Sequence, residues 1–171
     1  IPDQEPILIQ ETFEGEIHDH IAGVNGFGYD PIFYFPPCQK TSAEMTLEEK
    51  KQVAKFAIDN VHRQIPVIIG AGGNNTKDVI EFNKYAESIG ADGLLLVTPY
   101  YNKTTQNGLI MHYTEIAKNT SLPIILYNVP SRTGLNIEPK TCLELSKIEN
   151  IVAIKEASGN LSQVAEIAAL C

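Results

Sequence analysis

The chain has 171 residues, 43% of them hydrophobic and 20% charged, a globular composition with room for one good core or two small ones. Its net charge of −8 argues against a nucleic acid polymer as partner, and no apolar run reaches membrane-spanning length. Cys38, Cys142 and Cys171 are odd in number and lack metal-ligand spacing, so reduced thiols, a cytoplasmic location and no bound metal are expected.

The charge is unevenly spread. Residues 1–45 carry eight acids and one base, and residues 46–171 are nearly balanced. That shift marks a domain boundary at 45/46. The chain opens at Ile1 without a methionine and closes at Cys171 inside an apparent helix, so it reads as part of a longer protein.

Residues 6–17 read as an extended segment from the partial alternation in Leu8 to Phe13. Glu14, Glu16, His18, Asp19 and His20 follow as an acidic, histidine-containing cluster. Glu14, Glu16 and His18 could share one strand face and hold a divalent cation, although a solvated strand end explains the cluster more simply. In Asn25-Gly26-Phe27-Gly28-Tyr29-Asp30-Pro31, two glycines permit a tight turn. Phe27 and Tyr29 offer stacking surfaces and Asp30 an acceptor, a set suited to a planar base or to a glycine-rich turn with core aromatics.

This stretch resembles the base-recognition motif of the inosine triphosphate pyrophosphatase family, magnesium-dependent hydrolases of non-canonical purine triphosphates. The resemblance runs from Glu14-Gly15 through Phe27-Gly28-Tyr29-Asp30 to Lys40-Thr41, Ala43-Glu44-Met45 and Glu49-Lys50. It implies nucleobase contacts from Phe27, Tyr29, Asp30 and Lys50. The family's Ser-His-Arg is replaced by Ala54-Lys55-Phe56, and its phosphate-binding segment and catalytic carboxylates have no counterpart. Weak nucleobase binding, with magnesium only under that reading, is the most the segment implies.

From Thr46 a capping box, Thr46-Leu47-Glu48-Glu49, opens a helix with Val53, Phe56, Ala57 and Val61 as its apolar stripe, ending near Arg63. A strand at 66–69 leads into Gly70-Ala71-Gly72-Gly73-Asn74-Asn75-Thr76, a tight turn with an Asn or Thr cap. The next helix, 77–89, buries Val79, Phe82, Ala86 and Ile89, and Gly90 stops it. Strand 93–97 opens onto Thr98-Pro99-Tyr100-Tyr101, and helix 107–118 turns Leu109, Ile110, Tyr113, Ile116 and Ala117 inward, leaving His112 solvated. Strand 123–127 opens onto Tyr127-Asn128-Val129-Pro130-Ser131-Arg132, where a stiffened loop suits Arg132 to a bidentate grip on a carboxylate. An ordinary surface arginine fits the same loop.

Ile151-Val152-Ala153-Ile154 reads as a fully buried strand, with Lys155 at its end. An amine in a poorly hydrated position suits Schiff-base chemistry, and a lysine that snorkels to water suits the same residue types. The terminal apolar residues Ile69, Val97, Leu126 and Ile154 are spaced 28, 29 and 28 apart, the period of a repeated strand–helix unit. Parallel strands put their C-termini on one face, so Gly70, Thr98, Tyr127 and Lys155 should converge there.

Residues 46–171 closely resemble the dihydrodipicolinate synthases, pyruvate-dependent lyases of the class I aldolase type in lysine biosynthesis. The resemblance rests on Gly72-Gly73-Asn74-Asn75-Thr76, Val97-Thr98-Pro99-Tyr100-Tyr101-Asn102-Lys103, Leu126-Tyr127-Asn128-Val129-Pro130-Ser131-Arg132-Thr133-Gly134 and Ile154-Lys155-Glu156-Ala157-Ser158-Gly159. It implies a covalent pyruvate imine at Lys155 with no other cofactor, and a proton relay through Tyr127. Tyr101 would reach across a subunit interface, and Arg132 would bind aspartate semialdehyde. Gly70 and Thr98 would line the site. Related sialic acid lyases lack the arginine motif.

The fold so implied is α/β, a partial (β/α) TIM-type barrel of about four βα units after an extended or β-hairpin segment. The family's first two strands, with the Thr-Thr-Gly loop that supplies a hydroxyl, and its last two have no counterpart. The chain therefore reads as a chimera, with impaired turnover or none, and its open sheet as a homo-oligomer's.

Overall fold

In this computed structural model, residues 15–24, 29–36, 39–61 and 63–171 are described. The chain divides into two compact units, residues 1–44 and 45–171.

In the first unit three short strands form an antiparallel sheet in the order β1 (Glu16–Ile17), β2 (Phe33–Phe35), β3 (Lys40–Thr41). Gly23 adopts φ +85 and lies so close to Ala43 that an added Cβ would fall 2.4 Å from its carbonyl carbon. Only glycine fits there. Thr41, fully buried, donates its hydroxyl to the Ala22 carbonyl and ties the sheet to the same loop.

The second unit opens with α1 (Leu47–Val61), whose capping box is formed: Glu49 N–H donates to Thr46 Oγ1, and Thr46 N–H to Glu49 Oε2. Its inward face is not the expected one. Ala54 is buried and Ile58 packs on the core, whereas Val53 and Phe56 are 44% and 69% exposed. Apolar residues occupy two faces of this helix, and toward α2 the Lys51 ammonium lies 5.3 Å from the Tyr85 ring centroid.

Four parallel strands follow, β4 (Ile68–Gly70), β5 (Gly93–Val97), β6 (Ile124–Asn128) and β7 (Ile151–Glu156), hydrogen-bonded in sequence order. Helices α2 (Thr76–Ser88), α3 (Gln106–Ala117), α4 (Pro130–Thr133), α5 (Pro139–Leu145) and α6 (Leu161–Leu170) connect and cover them. Asn75 caps α2, its Oδ1 accepting from Lys77 N–H, and Val79, Phe82 and Ala86 are buried from its apolar stripe. The core lies between sheet and helices, around Leu94, Leu96, Ile124, Leu126, Leu109, Tyr113 and Ile116.

Strand alternation splits the sheet into two unlike faces. Leu94, Leu96, Ile124 and Leu126 face the helices and are buried; Leu95, Ile125 and Tyr127 face the other way and are half-buried. On β7 the difference is larger: Ile151 is buried, but Val152 is 58% exposed and Ala153 and Lys155 are exposed. The expectation of a fully buried last strand is corrected. A parallel strand is dry on both faces only when both are covered, and among the described residues helices cover one. A β-bulge between Ile124 and Ile125 shifts the register so that Ala153 pairs with Ile125. Among the described residues, no helix is long and apolar enough to cross a membrane.

Candidate active site

The ladder places Val97, Tyr127 and Lys155 on one row across the C-terminal end of the sheet. Lys155 Nζ lies 4.1 Å from the Tyr127 ring centroid, close enough for a cation–π attraction. Lys155 is nevertheless exposed, so the dry setting expected for its amine is not found. What holds the side chain is the ring beside it rather than burial.

The other rim residues are placed less evenly. Thr98 N–H donates to the Tyr127 carbonyl at 3.3 Å. The Thr98 side chain is fully buried, and its hydroxyl has no partner among the described residues. Gly70 pairs with Leu95, two rungs short of the Lys155 row, and is exposed. The expected convergence therefore joins Tyr127 and Lys155 closely, with Thr98 behind them and Gly70 below. Gly72 packs across β5: an added Cβ would meet Val97 N at 2.4 Å.

Two loops overhang this end. Tyr101 is 93% exposed and has φ 67, a left-handed conformation that costs a bulky residue free energy. Arg132 is exposed on α4, the single helical turn directly after β6, which Pro130 starts and Gly134 (φ 68) ends.

His112 was missed by the stripe argument. It is 8% exposed rather than solvated, and its Nδ1 lies 2.8 Å from Thr76 Oγ1. Burial pulls its imidazole down to about 4. Nothing near His112 in sequence announces this contact, since Thr76 lies 36 residues away. A second unforeseen feature is a polar cluster behind the Lys155 row, formed by Asn128, Asn136, Glu156 and Gln163.

In the first unit the expected cation set is only partly described, because Glu14 lies outside the described residues. His18, Asp19 and His20 bring one ligand atom each within 4.8 Å of one another. His20 holds the exposed Asp19 carboxyl below its ordinary range. Of the four residues assigned to a nucleobase, Phe27 lies outside the described residues, Tyr29 is 65% exposed and Asp30 is half-buried. Lys50 belongs to the second unit.

Residues 40–171 match the dihydrodipicolinate synthetase family. The chain belongs to that family. Residues 1–57 match the Ham1 family, so the two matches overlap around the start of α1. A 4-hydroxy-tetrahydrodipicolinate synthase of Clostridium novyi is 57% identical over 130 residues, which are 76% of this chain and 44% of that protein. One from Caldicellulosiruptor saccharolyticus is 59% identical over 136 residues, 78% and 46% of the two chains. Among solved structures, a chloride-inhibited dihydrodipicolinate synthase from Acinetobacter baumannii, complexed with pyruvate, aligns with a TM-score of 0.71 at 49% identity. That alignment covers 74% of this chain and 44% of the other. The chain thus spans under half the length of these synthases, and its sheet is a partial barrel of their TIM-type α/β fold.

Proposed function

We propose that residues 45–171 carry out the imine-forming step of a dihydrodipicolinate synthase-type lyase. The observation that carries this reading is the Lys155 amine seated 4.1 Å from the Tyr127 ring centroid on adjacent strand ends. In this reading the Lys155 ammonium first gives up a proton, its amine attacks the ketone carbon of pyruvate, a C–N bond forms, and the carbonyl oxygen departs as water. The Tyr127 phenol passes the protons that the oxygen collects and the nitrogen sheds. Arg132 grips the carboxylate of aspartate semialdehyde, and Gly70 and Thr98 shape the rim. Tyr101, held outward in its left-handed conformation, extends to a second copy in a homo-oligomer.

The exposure of Lys155 favours a second reading, a folded chimera without catalysis. One experiment separates the two. The protein is incubated with pyruvate and borohydride, digested and mapped by mass. The proposal expects a reduced pyruvyl adduct on Lys155, absent from Lys155→Ala. Labelling spread over exposed lysines, or none, overturns it.

A further inference from the structure

Directly above the Lys155 row, the β6–β7 ladder pairs Asn128 with Glu156. Alternation turns these two side chains to the opposite side of the sheet from Tyr127 and Lys155. Asn128 is fully buried, and its Oδ1 accepts from Ile137 N–H at 2.9 Å, which fixes the amide so that Nδ2 faces Glu156. Nδ2 then donates to Glu156 Oε2 at 2.8 Å and to Asn136 Oδ1 at 2.8 Å. Gln163, on α6, donates its Nε2 to the same two oxygens at 3.0 and 3.1 Å. Asn136 Nδ2 returns a bond to Gln163 Oε1 at 2.8 Å, and Ser158 N–H donates to Glu156 Oε1 at 2.6 Å.

Every donor on the Asn128 and Gln163 amides is committed, and the carboxylate takes three of the bonds. Only an acceptor on both arms fits this place. An amide at position 156 would turn its NH2 toward other donors, and a protonated carboxyl would lose an acceptor. Burial pushes the Glu156 carboxyl up, but the bonds from Ser158, Asn128 and Gln163 outweigh it and hold the group below its ordinary range. The Ala157 N–H donates to the Asn128 carbonyl at 2.8 Å, so the two strand ends are closed on both sides of the same rung.

We propose that Glu156 is a positioning residue: its carboxylate, clamped between Asn128 and Gln163, fixes the rung that holds Lys155 over Tyr127. Lys155 sits on an exposed face with no burial to hold it. Its aim therefore depends on the backbone at its root, and that backbone is anchored from behind by residue 156. The catalytic consequence rests on the Schiff-base reading; the geometric claim does not.

Two readouts keep these apart. The first needs no pyruvate. A methylene lying over an aromatic face is shifted upfield, so the Lys155 ε-protons report the ring contact by NMR. Glu156→Gln should move them to the value of an exposed lysine. The double variant Glu156→Gln, Asn128→Asp should restore the upfield position in part, because the new carboxylate at 128 accepts from the new amide at 156 and still accepts from Ile137 N–H, while Gln163 Nε2 still faces that amide. The second readout is the borohydride-trapping rate at saturating pyruvate. It should fall about tenfold or more in the single variant with little change in half-saturating pyruvate, and recover in part in the double.

An unshifted ε-proton signal in folded Glu156→Gln overturns the clamp, as does a folded double variant that recovers neither readout. A wild-type protein that shows the ring shift but no trapping overturns the Schiff-base reading and leaves the clamp standing. If Glu156→Gln does not fold, Gln163→Met removes one of the three donors to the carboxylate, together with the two bonds that the amide shares with Asn136. It should reduce the ring shift in part, and no reduction counts against the proposal.

Discussion

Tyr127 and Lys155 are direct register partners on neighbouring parallel strands, and their side chains meet with Nζ 4.1 Å from the ring centroid. The contact joins two properties of Tyr127 that substitution can separate. The ring face attracts the amine, and the hydroxyl is the group able to move a proton. Tyr127→Phe keeps the first and loses the second. It should preserve the upfield Lys155 signal while slowing pyruvate trapping about 100-fold, as expected when a proton relay is removed. Tyr127→Ala should abolish both. A Phe variant that traps at the wild-type rate would remove the phenol from the reaction.

Gly70 ends β4 and Gly72 lies two residues on in the turn that follows, yet their surroundings are opposite. A Cβ at Gly72 would meet Val97 N at 2.4 Å, whereas a Cβ at Gly70 meets nothing within 4 Å. Backbone cannot retreat as a side-chain tip can, so Gly72→Ala should cost about 1–3 kcal/mol by overpacking. Gly70→Ala should lie within about 0.5 kcal/mol of wild type. Urea unfolding of the two single variants measures both. Equal losses would place the tight approach elsewhere than against β5.

The strand order was legible because the 28- and 29-residue spacing from Ile69 to Ile154 leaves room for one helix between strands, and such units lie side by side. The α2 stripe of Val79, Phe82 and Ala86 was legible because it lies on a single face. The inward face of α1 was not, since Val53 and Phe56 make as good a stripe as Ala54 and Ile58, and only the neighbouring helix decides. The burial of Val152, Ala153 and Lys155 was misjudged for a related reason. Local sequence specifies a strand, but how many layers cover it is a property of the whole sheet. Lys155 and Tyr127 could be paired from their positions at strand ends, whereas the Asn128, Asn136, Glu156 and Gln163 cluster could not. Those partners are up to 28 residues apart, and amides carry no periodic signal.

Cys142 and Cys171 should differ sharply in reactivity. Burial pushes the Cys142 thiol up to about 12, with Cys171 beside it adding to the effect, while Cys171 itself is exposed. At pH 8 only about one Cys142 in 10,000 is thiolate. A maleimide pulse on the native protein, followed by peptide mapping, should label Cys171 and leave Cys142 untouched until denaturant is added. Native labelling of both would mean that the α5–α6 packing opens readily.

The buried imidazole of His112 makes stability depend on pH in a defined window. Its ordinary value is 6.5, and burial lowers it to about 4 in the folded protein. Between those values the unfolded chain takes up a proton that the folded chain refuses, so unfolding is favoured as pH falls. The contribution is fully present above about 6.5 and lost on descent toward 4, about 3 kcal/mol in all. Below 4 both states are protonated and the loss stops. His112→Asn retains a short polar atom for Thr76 but does not titrate in this range. Carboxylates held low by hydrogen bonds, such as Glu87 and Glu156, also lose their contribution in acid, but they do so in both proteins and cancel in the comparison. Urea unfolding at pH 7, 5.5 and 4.5 should therefore show the wild-type protein losing stability faster than the variant. Parallel curves would place the His112 ring in contact with water.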